Sequence, residues 1–519
     1  MELLSISSLS WASMLGDHWV LATVLLAVIA CLVLPIVLQP SPKGADGKPL
    51  RLPPSPRALP IIGHMHLLDS SPHAALYRLS KVYGPLMFLK LGAVPVVVAS
   101  SAEMARQILQ VHDQTFCSRP QYFTVPALIF KYTDILFSSP GPYWKLMREI
   151  CVTDLFSNKR LEYFRPVRVE EVHGMVRSVL SQVGSLVNVR DELHSASSNI
   201  IARITLGKRM PELSVSSRAD PSCNIVQIIR EVAHLLGAFN VGDYLPWLRW
   251  MDLQGLAKHS KDVHRKATIV FQEVIDNRRK DNRTKDETLL DLLLTAALDS
   301  KKKDLQISDE TIRAVLLEIF AAGIDTGSVT IEWALMCLII NPNEMKKVQE
   351  ELDRVVGHRL VEEADIPNLP YLQAATKEAM RLHPVGPLLM PHMSSRPCNI
   401  NGHEIPANTI AFVNTWAIGR DPALWKDPQE YRPERFVDSN IDVRGHHFEL
   451  LPFSSGRRGC PAWRLGLLNV YSILGNLVHG FNWTIPGEPD LTEETSIVLA
   501  LKHPLKAYVS PRLPEHVYA

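Results

Sequence analysis

The amino-acid sequence predicts a mainly α-helical protein with a small β part, built as a single large domain behind one N-terminal transmembrane helix. Three observations predict this: long stretches with apolar residues every three or four positions, a few short β-like stretches between prolines, and one uncharged apolar run near the N-terminus. The length of 519 residues, with 46 % hydrophobic and 21 % charged residues, suits a globular domain with a large core.

The apolar run covers residues 19–38. As a helix it would be about 30 Å long, which is the thickness of the hydrocarbon core of a bilayer. The positive-inside rule predicts a lumenal segment at 1–18 and a cytosolic remainder, because no Lys or Arg precedes the run, whereas it is followed by Lys43, Lys48, Arg51 and Arg57. A cleaved signal peptide is the alternative. The missing basic n-region and the length of the run weigh against it.

Residues 39–63 are rich in proline, which makes the chain stiff and extended there. This segment is predicted to be a hinge between the anchor and a cytosolic domain at 64–519. The first strands of that domain are predicted at 85–92 and 94–99, around a glycine turn. Pro95 fits near the start of the second strand, where a missing N–H is tolerated.

Most of the remaining domain is predicted to be helical, with apolar spacing near three and four over 160–180, 225–237, 260–280, 309–340 and 342–356. The charged run 280–287 is predicted to be a solvated loop, and short β-like segments return after residue 395. The sequence contains neither a Gly-rich phosphate loop nor a dinucleotide fingerprint. Electrons for a redox reaction would therefore come from a partner with its own cofactor.

Composition excludes several classes of protein. The net charge of +1 gives no indication of nucleic-acid binding. The seven cysteines are scattered and form no CxxC pair. This pattern argues against a disulfide framework and against a zinc site.

Residues 453–460, here called the cysteine loop, read Phe-Ser-Ser-Gly-Arg-Arg-Gly-Cys and precede an apolar run. A thiolate from Cys460 is a soft, strong ligand for iron, and nearby positive charge favours the thiolate over the thiol. Phe453 can shield the sulfur from water, and Gly456 allows a tight turn under a flat cofactor. Arg458 can reach a carboxylate of such a cofactor. The alternative is a buried structural cysteine beside a basic surface pair.

A second motif, Ala-Gly-Ile-Asp-Thr at 322–326, interrupts a long apolar helical pattern. The Thr326 hydroxyl can bond back to the preceding turn, open the helix and hold a water, and Asp325 can then supply protons. Gly323 would let a flat ligand approach the backbone closely. A helix N-cap or a simple kink is the alternative interpretation.

Two further spacings place charged and aromatic side chains together. Glu378 and Arg381 lie three residues apart on one predicted helix face, and Arg435 offers a second cation later in the chain. Trp144 and Arg148 lie four residues apart, again on one face. Each pair alone is common on protein surfaces and contributes little to stability there.

Taken together, these motifs resemble those of the cytochrome P450 family, and the stretches 243–255, 414–422 and 448–453 are similar to its plant microsomal members. The resemblance implies the P450 fold and haem b as cofactor, with Cys460 as the axial thiolate ligand of the iron. It further implies that Thr326 positions a proton-donating water and that Asp325 connects this water to solvent.

The resemblance also assigns residues that hold the cofactor and the fold. The haem propionates would be bound by Trp144, Arg148, Arg458 and His392. Glu378, Arg381 and Arg435 would form a buried structural triad. The sequence departs from the family pattern at Gly327, where Thr or Ser is more usual, and at Ala462, where glycine is.

The activity implied is an NADPH- and O2-dependent monooxygenase of the endoplasmic reticulum membrane. NADPH–cytochrome P450 reductase would supply electrons at a basic face that includes Arg457 and Lys145. The segments 122–130, 385–389 and 497–499 match substrate-recognition regions and are largely apolar, so we expect an apolar or phenolic plant metabolite, such as a phenylpropanoid or flavonoid. The alternatives are a reductase-independent haem-thiolate isomerase or dehydratase, and a non-catalytic haem-binding membrane protein.

Overall fold

The structure is a computed structural model that describes residues 49–213, 224–280, 288–298 and 307–518, together with Thr23. The predicted anchor at 19–38 lies outside the described residues except for Thr23. The first part of the predicted hinge and the charged residues 281–287 also lie outside them.

Eleven helices of eight or more residues dominate the described part of the chain. They are α1 (Pro72–Tyr83), α2 (Pro142–Glu149), α3 (Arg165–Ser181), α4 (Val189–Leu206), α5 (Ile225–Gly237), α6 (Leu256–Lys280), α7 (Leu289–Leu298), α8 (Asp309–Ile340), α9 (Pro342–Val355), α10 (Pro370–Leu382) and α11 (Trp463–Gly480). Shorter α-helical turns span Ala102–Arg106, Asp113–Phe116, Val125–Leu128, Asn158–Tyr163, Met210–Leu213, Val241–Tyr244 and Thr415–Ile418. Two π-helical segments occupy Gln107–Val111 and Ile150–Leu155.

The β part consists of small sheets at the edges of the helical body. The strands are β1 (Leu86–Leu91), β2 (Val94–Ala99), β3 (Val187–Asn188), β4 (His392–Met393), β5 (Cys398–Ile400), β6 (His403–Ile405), β7 (Ile410–Val413), β8 (Phe481–Thr484), β9 (Glu493–Thr495), β10 (Leu499–Leu501) and β11 (Lys506–Pro511). One sheet has the order β1-β2-β7-β4, in which only the β2–β7 pair is parallel. The others are β3-β11-β8, β5-β6 and β9-β10, all antiparallel.

The predicted strand pair is confirmed as β1 and β2, and Pro95 pairs opposite Lys90 near the start of the second strand. The helix predicted at 160–180 is instead broken at Phe164, between Asn158–Tyr163 and α3. Pro166 explains the break. It lacks an N–H, and its ring would clash with the carbonyl four residues earlier in a continuous helix.

Helix α8 is the central element of the fold. Its N-terminus is capped by Ser308, whose hydroxyl accepts a hydrogen bond from the Thr311 N–H at 3.2 Å. It packs most extensively against α4, and also against α11, α10 and α6. Among the described residues α8 is the one helix that is long and apolar enough to cross a membrane, but half of its most apolar stretch is buried inside the domain. Its hydrophobicity is therefore accounted for by its place in the core.

A buried ion cluster ties α10 to the segment that leads towards the cysteine loop. Arg381 donates to both carboxylate oxygens of Glu378 at 2.7 Å, and Arg435 donates to Glu378 Oε1 at 3.0 Å. The side chains of Glu378 and Arg381 are fully buried. Glu378 also accepts the backbone N–H of Arg432 at 2.8 Å. Two cations sharing one fixed carboxylate form a satisfied buried network.

We expect Glu378→Gln to destabilise the domain by about 3–5 kcal/mol, because it leaves two buried guanidinium groups without a counter-charge. Chemical unfolding of the purified holoenzyme would measure the loss. The matched control is Glu434→Gln, since Glu434 is 49 % exposed and pairs with Lys347 at 2.6 Å. That surface pair should contribute at most about 1 kcal/mol. Equal effects of the two variants would contradict the assigned role of the cluster.

Candidate active site

The cysteine loop is held as a tight turn against a neighbouring π-helix. The Cys460 N–H donates to the Phe453 carbonyl at 2.9 Å, and the Gly459 N–H donates to the Gly456 carbonyl at 3.1 Å. Gly456 has φ +70°, and a Cβ there would lie 2.2 Å from the Leu109 carbonyl oxygen. Position 456 therefore requires glycine for its backbone conformation and for its close approach to the π-helix.

The charge around the Cys460 sulfur differs from the expectation. Arg457 pairs with Asp113 at 2.9 Å, and Arg458 donates to carbonyls of other segments. Burial raises the pKa of the Cys460 thiol, and the opposing influences are the Ala462 N–H and the Arg148 guanidinium. The thiolate form of Cys460 is therefore not favoured by Arg457 or Arg458. A metal ion bound to the sulfur would favour the thiolate, because coordination deprotonates a thiol outright.

Arg458 lies buried against Trp144 and binds main-chain carbonyls. It donates to the carbonyl oxygens of Cys117 at 2.7 Å, Ile135 at 3.0 Å and Ser138 at 2.6 Å. Its guanidinium carbon lies 4.3 Å from the centroid of the Trp144 ring. The Trp144 indole N–H donates to the same Ile135 carbonyl at 3.1 Å. The structure thus brings these two predicted cofactor-binding residues into direct contact.

Arg148 and His392 reach the same region from other elements. Arg148 donates to the Gly459 carbonyl at 2.8 Å, which links α2 to the cysteine loop. His392, at the start of β4, is buried and lies 2.8 Å through Nδ1 from the Phe116 carbonyl. Burial lowers the pKa of His392 well below its ordinary value, so the ring is neutral and Nδ1–H is the donor.

Arg119 belongs to this group and was missed by the sequence analysis. It is 3 % exposed and donates to the carbonyls of Leu136 at 3.1 Å, Met390 at 2.8 Å and Pro391 at 2.8 Å. Its signal in the sequence is a single cation between a mostly polar stretch, residues 112–118, and Pro120. That pattern does not distinguish a buried arginine from an exposed one.

The residues present fit an anionic, flat cofactor such as haem. Among the described residues no carboxylate lies within 4.0 Å of Arg119, Arg148 or Arg458, which donate hydrogen bonds to neutral carbonyls. Burial lowers the pKa of Arg119 to about 9 and that of Arg458 to about 10. Burying cations without counter-charge is costly, and two propionates would supply that charge beside a sulfur ligand.

Helix α8 is mostly buried, but one of its sides is open. Ala322 and Thr326 are exposed, whereas Phe320, Ile324 and Ser328 are buried. Residues four apart lie on one face of a helix, so Ala322 and Thr326 look into the same space. The Thr326 hydroxyl donates to the Ala322 carbonyl at 2.8 Å. This is the back-bonding that the motif predicts.

The two glycines near Thr326, Gly323 and Gly327, have different surroundings. A Cβ at Gly323 would lie 2.8 Å from Ile201 Cδ1 on α4. The expectation that Gly323 admits a flat ligand is therefore wrong, because this glycine allows close packing of α4 on α8. A Cβ at Gly327 would meet nothing within 4 Å. Asp325 points towards α4, where its Oδ1 lies 3.5 Å from His194 Nε2.

The sequence profile of the family described as Cytochrome P450 matches residues 53–510. The chain belongs to the cytochrome P450 family. The P450 fold predicted from the sequence is confirmed by a zebra fish cytochrome P450 solved with progesterone, which superposes with a TM-score of 0.72 at 27 % identity and covers 85 % of this chain and 99 % of that one.

Several plant cytochromes P450 are similar to this one over most of its length. A flavonoid 3',5'-hydroxylase of Crocosmia x crocosmiiflora is 39 % identical over 490 residues, which cover 91 % of this chain and 93 % of that protein. A flavonoid 3'-monooxygenase of Petunia hybrida is 38 % identical over 482 residues, covering 91 % and 94 %. A beta-amyrin 24-hydroxylase of Glycine max is 39 % identical over 484 residues, covering 89 % and 93 %.

This P450 is thus a haem-thiolate monooxygenase that carries haem b, with Cys460 as the axial ligand of the iron. A thiolate ligand donates electron density to the iron and favours O–O cleavage. The reaction uses O2, a small-molecule substrate and electrons from a redox partner.

The sulfur ligand can be tested with a pair of cysteine variants. Cys460→Ser should abolish the thiolate-type reduced-CO spectrum, because an alkoxide or hydroxyl does not replace a soft thiolate. Cys398→Ser, which changes a partly exposed cysteine in β5, should leave that spectrum intact. A normal spectrum in Cys460→Ser would overturn the assignment.

The role of the buried guanidinium can be tested with two adjacent arginines. We expect Arg458→Met to lower haem retention by roughly tenfold, since one charge-assisted hydrogen bond is worth about 1.5–3 kcal/mol. Arg457→Met is the control, because Arg457 is 52 % exposed and pairs with Asp113. Haem transfer to apomyoglobin gives the rate of loss. Equal rates for both variants would contradict the role of Arg458.

Proposed function

We propose that this P450 hydroxylates an aromatic phenolic plant metabolite of the flavonoid or phenylpropanoid class, with electrons from NADPH delivered by NADPH–cytochrome P450 reductase. The observation that carries the proposal is the exposed Thr326 on the open side of α8, with the partly exposed carboxylate of Asp325 next to it. Similar proteins described as flavonoid hydroxylases support the substrate class.

The proton supply is assigned to two residues. Thr326 holds the water that donates protons at the open side of α8. Asp325 is one position on the helix away, about 100° around the axis, and connects this water to solvent. The presence of Thr326 and Asp325 argues against an isomerase or dehydratase, because such a reaction does not need protons delivered from solvent along these residues. Gly327 leaves room for water beside Thr326.

The groups around the cysteine loop would hold the haem. Its propionate edge would be bound by Trp144, Arg148, Arg458 and His392, together with Arg119. Phe453 shields the sulfur from water; a Cβ at Gly466 would lie 3.3 Å from its ring, so the first turn of α11 packs against this phenyl group. The reductase docks beside this loop, where Lys145 is exposed and Arg457 is about half exposed.

The apolar composition of the three segments matched to substrate-recognition regions supports a flat, mostly apolar substrate. The Leu499 N–H donates to the Val385 carbonyl at 2.9 Å, which joins the segments 385–389 and 497–499. The segment 122–130 adds the buried Phe130 and the half-exposed Phe123. Apolar and aromatic walls with few polar groups are typical of sites for such ligands.

Hydroxylation of a triterpenoid is the second candidate function. The beta-amyrin 24-hydroxylase is as similar to this chain as the flavonoid hydroxylases are, at 39 % identity. Overall similarity therefore does not separate the two classes. The shape of the substrate-binding space would decide between the two substrate classes, because a flat flavonoid and a bulky pentacyclic triterpene fill different volumes.

Substrate-binding difference spectra of recombinant microsomes separate the candidates. We expect flavonoids or hydroxycinnamoyl esters to displace water from the iron, and turnover to require NADPH and the reductase. A shift with triterpenes alone would favour the second candidate. Conversion of any bound compound without NADPH would contradict the monooxygenase reaction.

The membrane arrangement is proposed from the charge pattern: residues 1–18 lumenal, 19–38 a single span, 39–63 a hinge and 64–519 cytosolic, in the endoplasmic reticulum. Asn482 of the sequon Asn-Trp-Thr is exposed on β8. In microsomes we expect no glycan there, because that face would be cytosolic. Leu3→Asn, which creates a sequon with Ser5, should be glycosylated. Glycan on Asn482 would overturn the topology.

A further inference from the structure

The imidazole of His194 on α4 faces Asp325, the residue proposed above to connect the water at Thr326 to solvent. His194 Nε2 is buried and has no hydrogen-bond partner, and it lies 3.5 Å from Asp325 Oδ1. We propose that His194 is a positioning residue that orients Asp325, and thereby controls proton supply towards Thr326. The proposal rests on the function proposed above for Asp325.

The packing of α4 on α8 keeps the two side chains at this distance. N-terminal to His194 on α4, Arg190 forms an ion pair with Glu332 of α8 at 2.9 Å. C-terminal to His194, Ser197 Oγ accepts a hydrogen bond from Ser328 Oγ of α8 at 3.1 Å. The contact between Gly323 and α4 removes the remaining space between the backbones. His194 is therefore fixed by the same interface that fixes Asp325.

A histidine gives this position a property that Lys or Arg would not. An imidazole gains and loses a proton near neutral pH, whereas Lys and Arg stay charged. The side chains of His194 and Asp325 are 26 % and 25 % exposed, so solvent reaches part of each side chain, whereas His194 Nε2 itself is buried beside the carboxylate.

The surroundings define the pH range of the effect. Burial lowers the pKa of His194 below 6.5, and it is the largest influence on this group. Facing charges act in both directions: the carboxylates of Asp325 and Glu332 on α8 raise the pKa, and the guanidinium groups of Arg190 on α4 and Arg230 on α5 lower it. The charged imidazolium, which attracts Asp325 most strongly, is populated only as the pH falls below 6.5.

A double-mutant cycle of His194→Gln and Asp325→Asn, read out as thermal unfolding of the full-length holoenzyme, tests the pairing without any turnover. It is run at a series of pH values from about 5 to about 8, so that the range below the ordinary histidine pKa is sampled. We expect the two losses in Tm to be non-additive at the lower pH values and additive at the higher ones. Additive losses at every pH value would overturn the proposal, whether or not the enzyme hydroxylates the proposed substrates.

Turnover then tests the consequence for proton supply. We expect His194→Gln to leave substrate binding unchanged and to lower kcat by roughly tenfold, less than the loss of a general acid itself. More NADPH should be consumed without product, and His194→Lys should restore kcat with a flatter pH profile. The control is His503→Gln, whose histidine is exposed and lies 3.8 Å from Asp490. A wild-type kcat and pH profile in His194→Gln would overturn the role.

Discussion

Two buried guanidinium groups, those of Arg119 and Arg458, and the partly buried one of Arg148 are the constraint around which the site is organised, because none has a carboxylate within 4.0 Å in the described part of the chain. Arg119, Arg148 and Arg458 come from separate segments, and each binds neutral carbonyls. Their charge is costly away from water until an anion joins them. Haem propionates would supply that anion, and binding of the cofactor to the folded state would then stabilise the fold by mass action. The cysteine loop, α2 and β4 meet because they all contact these groups or their carbonyl partners.

Helix α8 combines two functions on different faces. The face towards α4 is built for close packing, with Gly323 against Ile201 and Ser328 bonded to Ser197. The open face carries Ala322 and Thr326, and the Thr326 hydroxyl donates back to the Ala322 carbonyl. Asp325 lies between the two faces. A helix that is rigid because of its packing can hold a proton donor in a fixed place, which catalysis requires.

Similar proteins of the same family are described as acting on different substrates. Proteins described as acting on flavonoids and on beta-amyrin are equally similar to this chain. The haem-binding groups and the buried cluster around Glu378 concern the cofactor and the fold. We propose that the substrate faces other segments, chiefly 122–130, 385–389 and 497–499, where changes of shape would alter specificity without altering the reaction.

The sequence by itself determined the helical character, the β1–β2 pair, α5 and α8, and the identity of the sulfur ligand, because periodicity and a contiguous motif are local properties of a chain. The break at Pro166 was equally local and could have been predicted. Only the tertiary structure decided that Arg119 is a buried cation, that Gly323 faces α4 and that His194 faces Asp325. Each of these depends on which distant segment packs alongside, and that is set by the burial of whole helices rather than by neighbouring residues.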